Sequence, residues 1–174
     1  MKMIFVCSPE QIDTKTIINL AIQRSGKKSF SLINFEDMGD MPGEMRNANS
    51  MIMTKQITSV YYEELEKRMI SSMKDPSENL IINGFLALEI PVIGYVHTIP
   101  DTFFRVYKPD MIVIFEKVFM AGEDEDESLI EHQKMSRDFA VNYALLSGSM
   151  LKIIKFRENN MMDAVNELSA IIKR

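Results

Sequence analysis

Residues 3 to 16 read MIFVCSPEQIDTKT: an apolar run, a short polar turn, and a helical pattern that begins near Thr14. In nucleotide-binding α/β proteins a phosphate-binding loop occupies this position between a strand and a helix. Such a loop needs glycine, because several backbone N–H groups must point at one phosphate and Cβ atoms would block its approach. This turn contains no glycine. The stretch therefore predicts the architecture of a nucleotide site without its usual chemistry.

Three residues of the turn bear directly on phosphate binding. Pro9 lacks a backbone N–H, while Glu10 and Asp13 place carboxylates where a polyphosphate would lie. At about 4 Å and an effective dielectric near 20, each like-charge contact costs on the order of 4 kcal/mol before screening. We favour a structural interpretation of Asp13, in which its carboxylate caps the helix N–H groups that a phosphate would otherwise use.

The composition limits the class of protein. A chain of 174 residues, 46% hydrophobic and 26% charged, predicts one folded domain over residues 1–174. The net charge is −5 and no basic stripe occurs, which argues against nucleic acid as a partner. Most of the fifteen methionines fall at helical spacing among apolar residues, which predicts that they fill the core.

The single cysteine and the two histidines argue against a disulfide-rich protein and against a zinc protein. Cys7 alone cannot build a disulfide framework, and this set of residues makes a dedicated zinc site improbable. Cys7 could act as a nucleophile only with a nearby base, which no local residue supplies. No apolar run is long enough to span a bilayer and no signal peptide is recognisable, so we expect a cytoplasmic protein without a membrane partner.

Strand and helix patterns alternate along the chain. Short apolar runs predict strands over 3–6, 30–35, 79–82, 111–115 and 151–154. Amphipathic spacing predicts helices over 14–24, 52–74, 102–107, 129–146 and 161–172. The inward faces of the two longest helices are expected to carry Ile57, Tyr61, Leu65, Met69 and Met73 in the first, and Met135, Phe139, Tyr143 and Leu146 in the second. Residues 84–100 are interpreted as an apolar connection.

Five apolar strands separated by helices predict an α/β fold with a five-stranded parallel sheet in three layers, α/β/α. Ligands of such folds bind beyond the carboxyl ends of the strands. That edge is expected to carry residues 7–16, the Phe35 loop, 83–85 and 116–121. The acidic run at 123–127 is interpreted as a solvated loop or helix start, because consecutive carboxylates do not converge on one metal ion.

Several short motifs point to a known family. They are KPD at 108–110 before a strand, EHQKMSR at 131–137, LLSGS at 145–149, KIIK at 152–155 and AVNEL at 164–168. With these motifs the chain resembles the adenylate kinases of archaea, a small P-loop kinase family, strongly from Pro109 onward and weakly before it. The resemblance implies a P-loop kinase-like fold and allows a homo-oligomer. It does not imply activity, because a fold does not determine a function.

The family's glycine-rich loop places a lysine on the β- and γ-phosphates and a threonine on Mg²⁺. Aligning the chain on Pro9 puts Asp13 and Thr14 at those two positions. A shift of two residues puts Lys15 and Thr16 there instead. The resemblance therefore makes Lys15 a candidate catalytic residue and Thr14 and Thr16 candidate metal ligands. Candidate nucleotide-binding residues are Ser8, Pro9, Asp13, Thr14, Thr16, Arg46 and Asn83.

Other family positions also differ. The stretch 116–133, which corresponds to the family's arginine-bearing lid, contains no arginine. Asn83 and Phe85 stand where the family has an acidic residue and a histidine. Arg46 is a candidate for the family's monophosphate-binding arginine, and Arg137 matches its post-lid arginine. Either could equally be a surface arginine. For Arg137 we favour a retained role, which makes it a candidate catalytic residue.

Three functions follow from these observations. The leading hypothesis is a kinase-fold protein that no longer works as an adenylate kinase, because one arginine finger alone is worth about three to five powers of ten in rate. Such a protein would bind a nucleoside monophosphate or a protein partner. The second is a working nucleotide kinase that uses Lys15, Thr16 and Arg137, with Mg-ATP and AMP in its site. The third is a structural subunit that binds no nucleotide.

Overall fold

The computed structural model describes residues 2–9, 11–26, 30–38, 51–73, 78–90, 94–120, 125–157 and 159–174, with the backbone alone for 51–57. Its strands are β1 Met3–Cys7, β2 Phe30–Asn34, β3 Asn79–Gly84, β4 Ala87–Ile90, β5 Gly94–His97, β6 Met111–Lys117 and β7 Met150–Phe156. Its helices are α1 Thr14–Ser25, α2 Met51–Ser72, α3 Asp101–Tyr107, α4 Glu127–Ser147 and α5 Met161–Lys173, and a 3₁₀ helix covers Phe35–Met38. All ten predicted elements are confirmed, with ends that differ by at most two residues.

Five of the strands form one parallel sheet in the order β2-β3-β1-β6-β7. Every residue of the central strand β1 is buried, as its continuous apolar run predicts. Phe5 contributes to a core shared with α2, α3 and α4, whereas Ile4 and Val6 contribute to a core shared with α1 and α5. Because successive residues of a strand face opposite sides of the sheet, these two cores confirm the three-layer arrangement.

The connection over 84–100 contains a structure that the sequence pattern did not predict. β4 and β5 pair antiparallel as a hairpin, with Ala87 opposite His97. The helix α4 holds the hairpin and its exit, since His132 Nε2 lies 2.7 Å from Ala87 O and the Tyr143 hydroxyl donates to Ile99 O at 2.7 Å. Strands of four residues give too short an alternation to be distinguished from an apolar loop.

The buried face of α4 also differs from the prediction. Tyr143 is buried as expected, but Leu146 is 36% exposed and Met135 and Phe139 are only partly buried. The helix buries instead Leu129, His132, Gln133, Ser136, Ala140, Tyr143 and Ala144. Phe139 still packs against the core at its margin, so the predicted face is correct at Phe139 and Tyr143 and wrong at Leu146.

The expectation that methionines fill the core is wrong for half of those whose side chains are described. Met3 and Met69 are buried. Met69 is buried together with Tyr61 and Leu65, which confirms these three residues of the predicted inward face of α2. The methionines at 73, 120, 150, 161 and 162 are 37 to 62% exposed. Met73 lies beyond the end of α2, and the side chain of Ile57 lies outside the described residues.

Gly84, at the end of β3, should tolerate no side chain. A Cβ atom built there lies 2.9 Å from the ring of Phe35, which is 2% exposed and held by Tyr61 and Phe85. We expect Gly84→Ala to lower the free energy of unfolding by about 1 to 3 kcal/mol, because the ring has to shift within a packed core. Urea unfolding of the purified protein measures the change.

A double-mutant cycle tests the cause. In a Phe35→Leu background the same Gly84→Ala change should cost less than half as much, because the contacting ring is absent. Equal costs in the two backgrounds would contradict the steric explanation.

Candidate functional site

The turn between β1 and α1 uses its own backbone donors. Four N–H groups of the turn and the first helical residues donate within the protein: Ser8 N to Gly84 O, Ile12 N to Pro9 O, Thr14 N to Ile12 O and Thr16 N to Asp13 Oδ1. A phosphate-binding loop keeps such groups available for the ligand. In this turn those four groups are already hydrogen-bonded.

Asp13 is the N-cap of α1, as predicted. Its Oδ1 accepts from Thr16 N at 3.2 Å, and its Oδ2 accepts from the Thr16 hydroxyl at 2.9 Å. The carboxylate therefore binds the backbone and the side chain of Thr16 together. The Thr16 hydroxyl, a candidate metal ligand, is directed to this carboxylate.

Thr14, the other candidate metal ligand, begins a chain of side-chain hydrogen bonds along the carboxyl edge of the sheet. Its hydroxyl donates to Asn83 Oδ1 at 2.7 Å, and both side chains are buried. Asn83 Nδ2 then donates to Asn34 Oδ1 at 3.0 Å, and Asn34 Nδ2 donates to Asp37 Oδ2 at 3.1 Å. The chain links the ends of β3 and β2 to the start of α1.

Lys15 completes this chain from the other side. Its ammonium lies 2.8 Å from Asp37 Oδ1, and Arg68 donates to the carbonyl of Asp37 at 2.6 Å. The hydrogen bond to Asp37 raises the pKa of Lys15, and the hydrogen bonds from Lys15 and Asn34 lower the pKa of Asp37. We call Thr14, Lys15, Asn34, Asp37 and Asn83 the edge network.

A small cavity lies against the turn. Ser8, Pro9 and Asn83 meet there as predicted, and its full lining is Ser8, Pro9, Ile12, Thr14, Phe35, Glu36, Asn83, Gly84 and Phe85. Its volume is about 20 Å³, little more than one water molecule needs. We call it the turn cavity. The described residues at the turn therefore enclose no space of the size of a phosphate group.

Phe85 belongs to an aromatic cluster under the turn cavity. Its ring centroid lies 5.6 Å from that of Phe35 and 5.4 Å from that of Tyr61, and the Phe35 and Tyr61 rings stack at 5.6 Å. Edge-to-face and stacked rings of this kind stabilise each other beyond their burial. The side chain that stands in place of the family's histidine is therefore part of the core.

Arg137, on α4, forms a bidentate ion pair with Glu116 near the end of β6. Its Nε and a terminal nitrogen donate to the two carboxylate oxygens at 2.7 and 2.5 Å. The Glu116 side chain is 4% exposed and that of Arg137 is 43% exposed, and the hydrogen bond to Glu116 raises the pKa of Arg137. The guanidinium charge is balanced within the protein. Glu116 was missed as a site residue, although its place at a strand end is the signal that marks it.

A larger cavity, of about 310 Å³, lies where the N-termini of α1, α4 and α5 meet the ends of β6 and β7. Its lining consists of Gln11, Ile12, Asp13, Lys117, Asp126, Leu129, Phe156 and Met161. We call it the helix-end cavity. Only Asp13 of this set was a sequence candidate, because the other residues come from five separate segments.

The acidic run supplies one of these residues. Asp126 is the N-cap of α4 and accepts from Leu129 N at 3.0 Å, so the run does lead into a helix start. Gln133, in the second turn of the helix, accepts from the backbone N–H of Lys117 at 2.6 Å and donates to its carbonyl at 3.2 Å. These contacts position the end of β6 beside the helix-end cavity.

The remaining residues that the sequence singled out are Cys7, Arg46 and Glu10. Cys7 is fully buried with its Sγ 3.5 Å from Val113 O, and burial raises the pKa of the thiol, which keeps it protonated and unreactive. Arg46 and Glu10 lie outside the described residues. Within the described part of the chain, no three His, Cys, Asp or Glu side chains are grouped to hold a metal ion, and no helix is long and apolar enough to cross a membrane.

A parallel sheet in this strand order, with a strand–turn–helix unit at its carboxyl edge and helices on both faces, is an α/β fold of the P-loop kinase class. No family model matches the chain. Curated proteins do resemble it over most of its length. The chain is a divergent relative of the adenylate kinases of archaea.

Three of these relatives illustrate the similarity. The chain is 25% identical to the adenylate kinase of Thermoplasma volcanium over an alignment of 173 positions, which covers 91% of this chain and 92% of the relative. It is 26% identical to that of Pyrococcus horikoshii over 178 aligned positions, which cover 92% of this chain and 90% of the relative. It is 25% identical to that of Methanocaldococcus jannaschii over 193 aligned positions, which cover 99% and 98% of the two chains.

The ion pair of Arg137 leads to a stability prediction. Arg137→Ala leaves the carboxylate of Glu116 buried without its partner, so we expect the free energy of unfolding to fall by about 2 to 3 kcal/mol. This is at or below the lower limit of what breaking a fully buried ion pair costs, because Arg137 is partly exposed. Replacing Glu116 by Gln in the same variant removes the buried charge and should recover most of the loss. Denaturant unfolding measures both changes.

The matched control is Lys152→Ala. Lys152 Nζ lies 2.8 Å from Glu167 Oε2, but both side chains are almost half exposed. This change should therefore cost less than about 1 kcal/mol. A loss in Arg137→Ala no larger than in the control would contradict the role given to the pair.

The Lys15–Asp37 pair predicts a pH dependence. Because the pKa of Asp37 is lowered on folding from its ordinary value of 3.8, the carboxylate adds stability above that value, and this contribution is lost as the pH falls through the folded pKa. The difference in unfolding free energy between the wild type and Asp37→Asn should therefore be present at pH 6 and shrink below pH 4. It should stay small, because both side chains are exposed and solvent screens the pair.

Thermal and denaturant unfolding between pH 2 and 6 measures this difference. In a Lys15→Ala background the Asp37→Asn difference should be smaller at every pH, because the main partner is absent. A difference that grows as the pH falls would rule out this sign.

Proposed function

We propose that this adenylate-kinase-like protein transfers phosphoryl groups poorly or not at all, and that it works as a cytoplasmic nucleotide-binding or regulatory protein. One observation carries the proposal: Asp13 caps α1 at the place where a P-loop kinase receives phosphate. Four N–H groups at the turn, those of Ser8, Ile12, Thr14 and Thr16, are hydrogen-bonded within the protein.

The residues of the turn are a poor fit for a magnesium-bound triphosphate. The turn cavity has about 20 Å³, the hydroxyls of Thr14 and Thr16 are used by Asn83 and Asp13, and a carboxylate stands on the helix terminus. Mg²⁺ prefers oxygen ligands. The Thr14 hydroxyl, however, donates to the buried Asn83, and the Thr16 hydroxyl donates to Asp13, the exposed N-cap of α1. We therefore derive no catalytic step through Mg-ATP.

The candidate positive charges for phosphoryl transfer already form ion pairs with carboxylates of the protein. Catalysis of this reaction consists almost entirely of positioning and charge stabilisation. Lys15 is paired with Asp37 and Arg137 with Glu116. No arginine occurs between residues 116 and 133, where the family's lid arginines stand. Losing several such contributions together removes most of the rate.

The alternative of a working kinase would require three separations. Lys15 would have to leave Asp37, Thr16 would have to leave Asp13, and Arg137 would have to leave a buried carboxylate. The first is inexpensive because the pair is exposed, and the last is costly. The relatives are named adenylate kinases, so an adenine nucleotide is the ligand class to test first.

A coupled assay that follows ADP formation from ATP and AMP tests the proposal. We expect turnover more than about a hundredfold below that of an ordinary nucleotide kinase, because the charge stabilisation of the transition state is missing. Turnover within a hundredfold of such a kinase would refute the proposal.

Lys15→Ala separates this proposal from the working-kinase alternative. We expect no change in ATP affinity, whereas a kinase that uses Lys15 should bind ATP more weakly, and Lys152→Ala is the control for the loss of one surface charge. A purely structural protein predicts that no nucleotide raises the melting temperature, whereas a binding protein gains stability with ligand concentration.

A further inference from the structure

We propose that Asn83 is a site of deamidation, and that the edge network, rather than the stability of the whole protein, sets how fast its amide is converted to a carboxylate. The inference concerns a chemical modification of the chain and goes beyond the proposed function, since it holds whether or not a nucleotide binds. It rests on the dipeptide Asn83-Gly84 and on the two hydrogen bonds of the Asn83 side chain.

The dipeptide joins a reactive amide to an unhindered neighbour. Asn83-Gly84 is the only Asn-Gly pair among the 174 residues of the sequence. In such a pair the backbone nitrogen of the glycine can attack the side-chain carbonyl carbon of the asparagine, because no Cβ atom blocks the approach. Asparagine is one of the thermolabile residues of proteins. In the unfolded chain we therefore expect Asn83 to lose ammonia before the other asparagines do.

The reaction consumes one water molecule and needs no oxidant or cofactor. A bond forms between Gly84 N and Asn83 Cγ while the bond from Cγ to Nδ2 breaks, and the proton of Gly84 N leaves with the amide as ammonia. Water then opens the cyclic imide: its hydroxyl adds to one ring carbonyl carbon, and its proton returns to the ring nitrogen. The product is aspartate, or its β-linked isomer, at position 83.

The fold explains why this labile pair is present. Gly84 has no room for a side chain, because a Cβ atom there lies 2.9 Å from the ring of Phe35. Asn83 has to supply both an acceptor, for the Thr14 hydroxyl, and a donor, for Asn34 Oδ1. An amide supplies both, whereas an ionised carboxylate only accepts. Packing requires the glycine, and hydrogen bonding requires the amide before it.

The folded strand keeps the reacting atoms apart. Ser8 N donates to Gly84 O, and a residue of a parallel strand directs its N–H and C=O to the same neighbouring strand, so Gly84 N faces β1 in the plane of the sheet. The Asn83 side chain stands out from the face of the sheet beside Asn34, its register partner on β2. Attack requires Gly84 N to leave the ladder and the Asn83 side chain to rotate away from Asn34.

The edge network opposes that rotation. Asn83 and Asn34 are both 4% exposed, and the amide nitrogen that would leave is the one that donates to Asn34 Oδ1 at 3.0 Å. Proteins open locally at a lower cost than they unfold as a whole, and the pair lies at the end of β3. Release of these hydrogen bonds is therefore the opening that exposes Asn83 to reaction.

Conversion would weaken the network that protects the residue. Aspartate at position 83 cannot donate to Asn34 Oδ1, and its carboxylate brings a negative charge into a buried cluster of polar groups. The product also carries the residue type that the archaeal adenylate kinases have at this position. Because ammonia is lost to solvent, the change is one-way.

Mass spectrometry of the full chain, incubated for weeks at mildly alkaline pH, measures the conversion. A protease that cuts after glutamate releases residues 79–89, which contain Asn83. We expect the native protein to convert at least about tenfold more slowly than the chain in guanidinium chloride, because the reaction waits for a local opening. In the denaturant, Gly84→Ala should slow conversion at least about fivefold, because a Cβ atom hinders the attacking nitrogen. Equal native and denatured rates would overturn the proposal, as would an unchanged rate in Gly84→Ala.

Asn34→Ala tests whether the edge network sets the native rate, because it removes the acceptor of the Asn83 amide. Arg137→Ala is the matched control, since it destabilises the protein through Glu116 rather than through the network. The two variants are compared at equal free energy of unfolding, which a low concentration of denaturant sets. Asn34→Ala should then convert at least about threefold faster than Arg137→Ala, because its opening is local.

Rates that follow the free energy of unfolding alone, with no excess in Asn34→Ala, would show that global unfolding exposes Asn83 and would refute the proposal. If melting curves show that Asn34→Ala does not fold, Asn34→Leu removes the same acceptor at nearly constant volume and carries the same comparison.

Discussion

The N-terminus of α1 must have a hydrogen-bond acceptor, and in this chain that acceptor is Asp13. A helix leaves its first N–H groups without partners inside the helix, and its dipole places partial positive charge at the same end. In a P-loop protein a bound phosphate meets this requirement. Once a carboxylate of the chain meets it, no ligand has to approach the backbone. The turn then has no need of glycine and tolerates Pro9.

The same logic extends along the carboxyl edge of the sheet. Polar side chains that are buried must form hydrogen bonds, and without a ligand their partners have to come from the protein. Thr14 and Asn83 bond each other, and the chain continues through Asn34 to Asp37. The edge that usually exposes donors to a nucleotide thus becomes an internally satisfied surface. The helix-end cavity, which is lined by four apolar and four polar side chains, is the larger of the two cavities described at this edge.

Local patterns in the sequence were enough to predict the sheet and the helix cap. Continuous apolar runs mark buried parallel strands, and Asp13 contacts a residue only three positions away. The hairpin was missed because its strands have four residues each. The pairing of Thr14 with Asn83 spans 69 positions, so it depends on the strand order, which no local pattern reveals. The inner face of α4 was predicted only in part, because close packing places the small side chains of Ser136, Ala140 and Ala144 on it beside Tyr143.

The Asp13 cap and the Arg137–Glu116 ion pair differ in how they would respond to mutation. The Asp13 cap is local and partly exposed, so a single substitution can remove it at a cost of about 1 kcal/mol. The Arg137–Glu116 pair joins α4 to β6, and the carboxylate is buried. A phosphate that recruits Arg137 must leave this charge unpaired in the core, which is far more expensive. Restoring glycines to the turn would therefore free one end of the site and leave the other occupied. Phosphoryl transfer needs both ends at once, so the loss of activity that we propose could not be reversed at the turn alone.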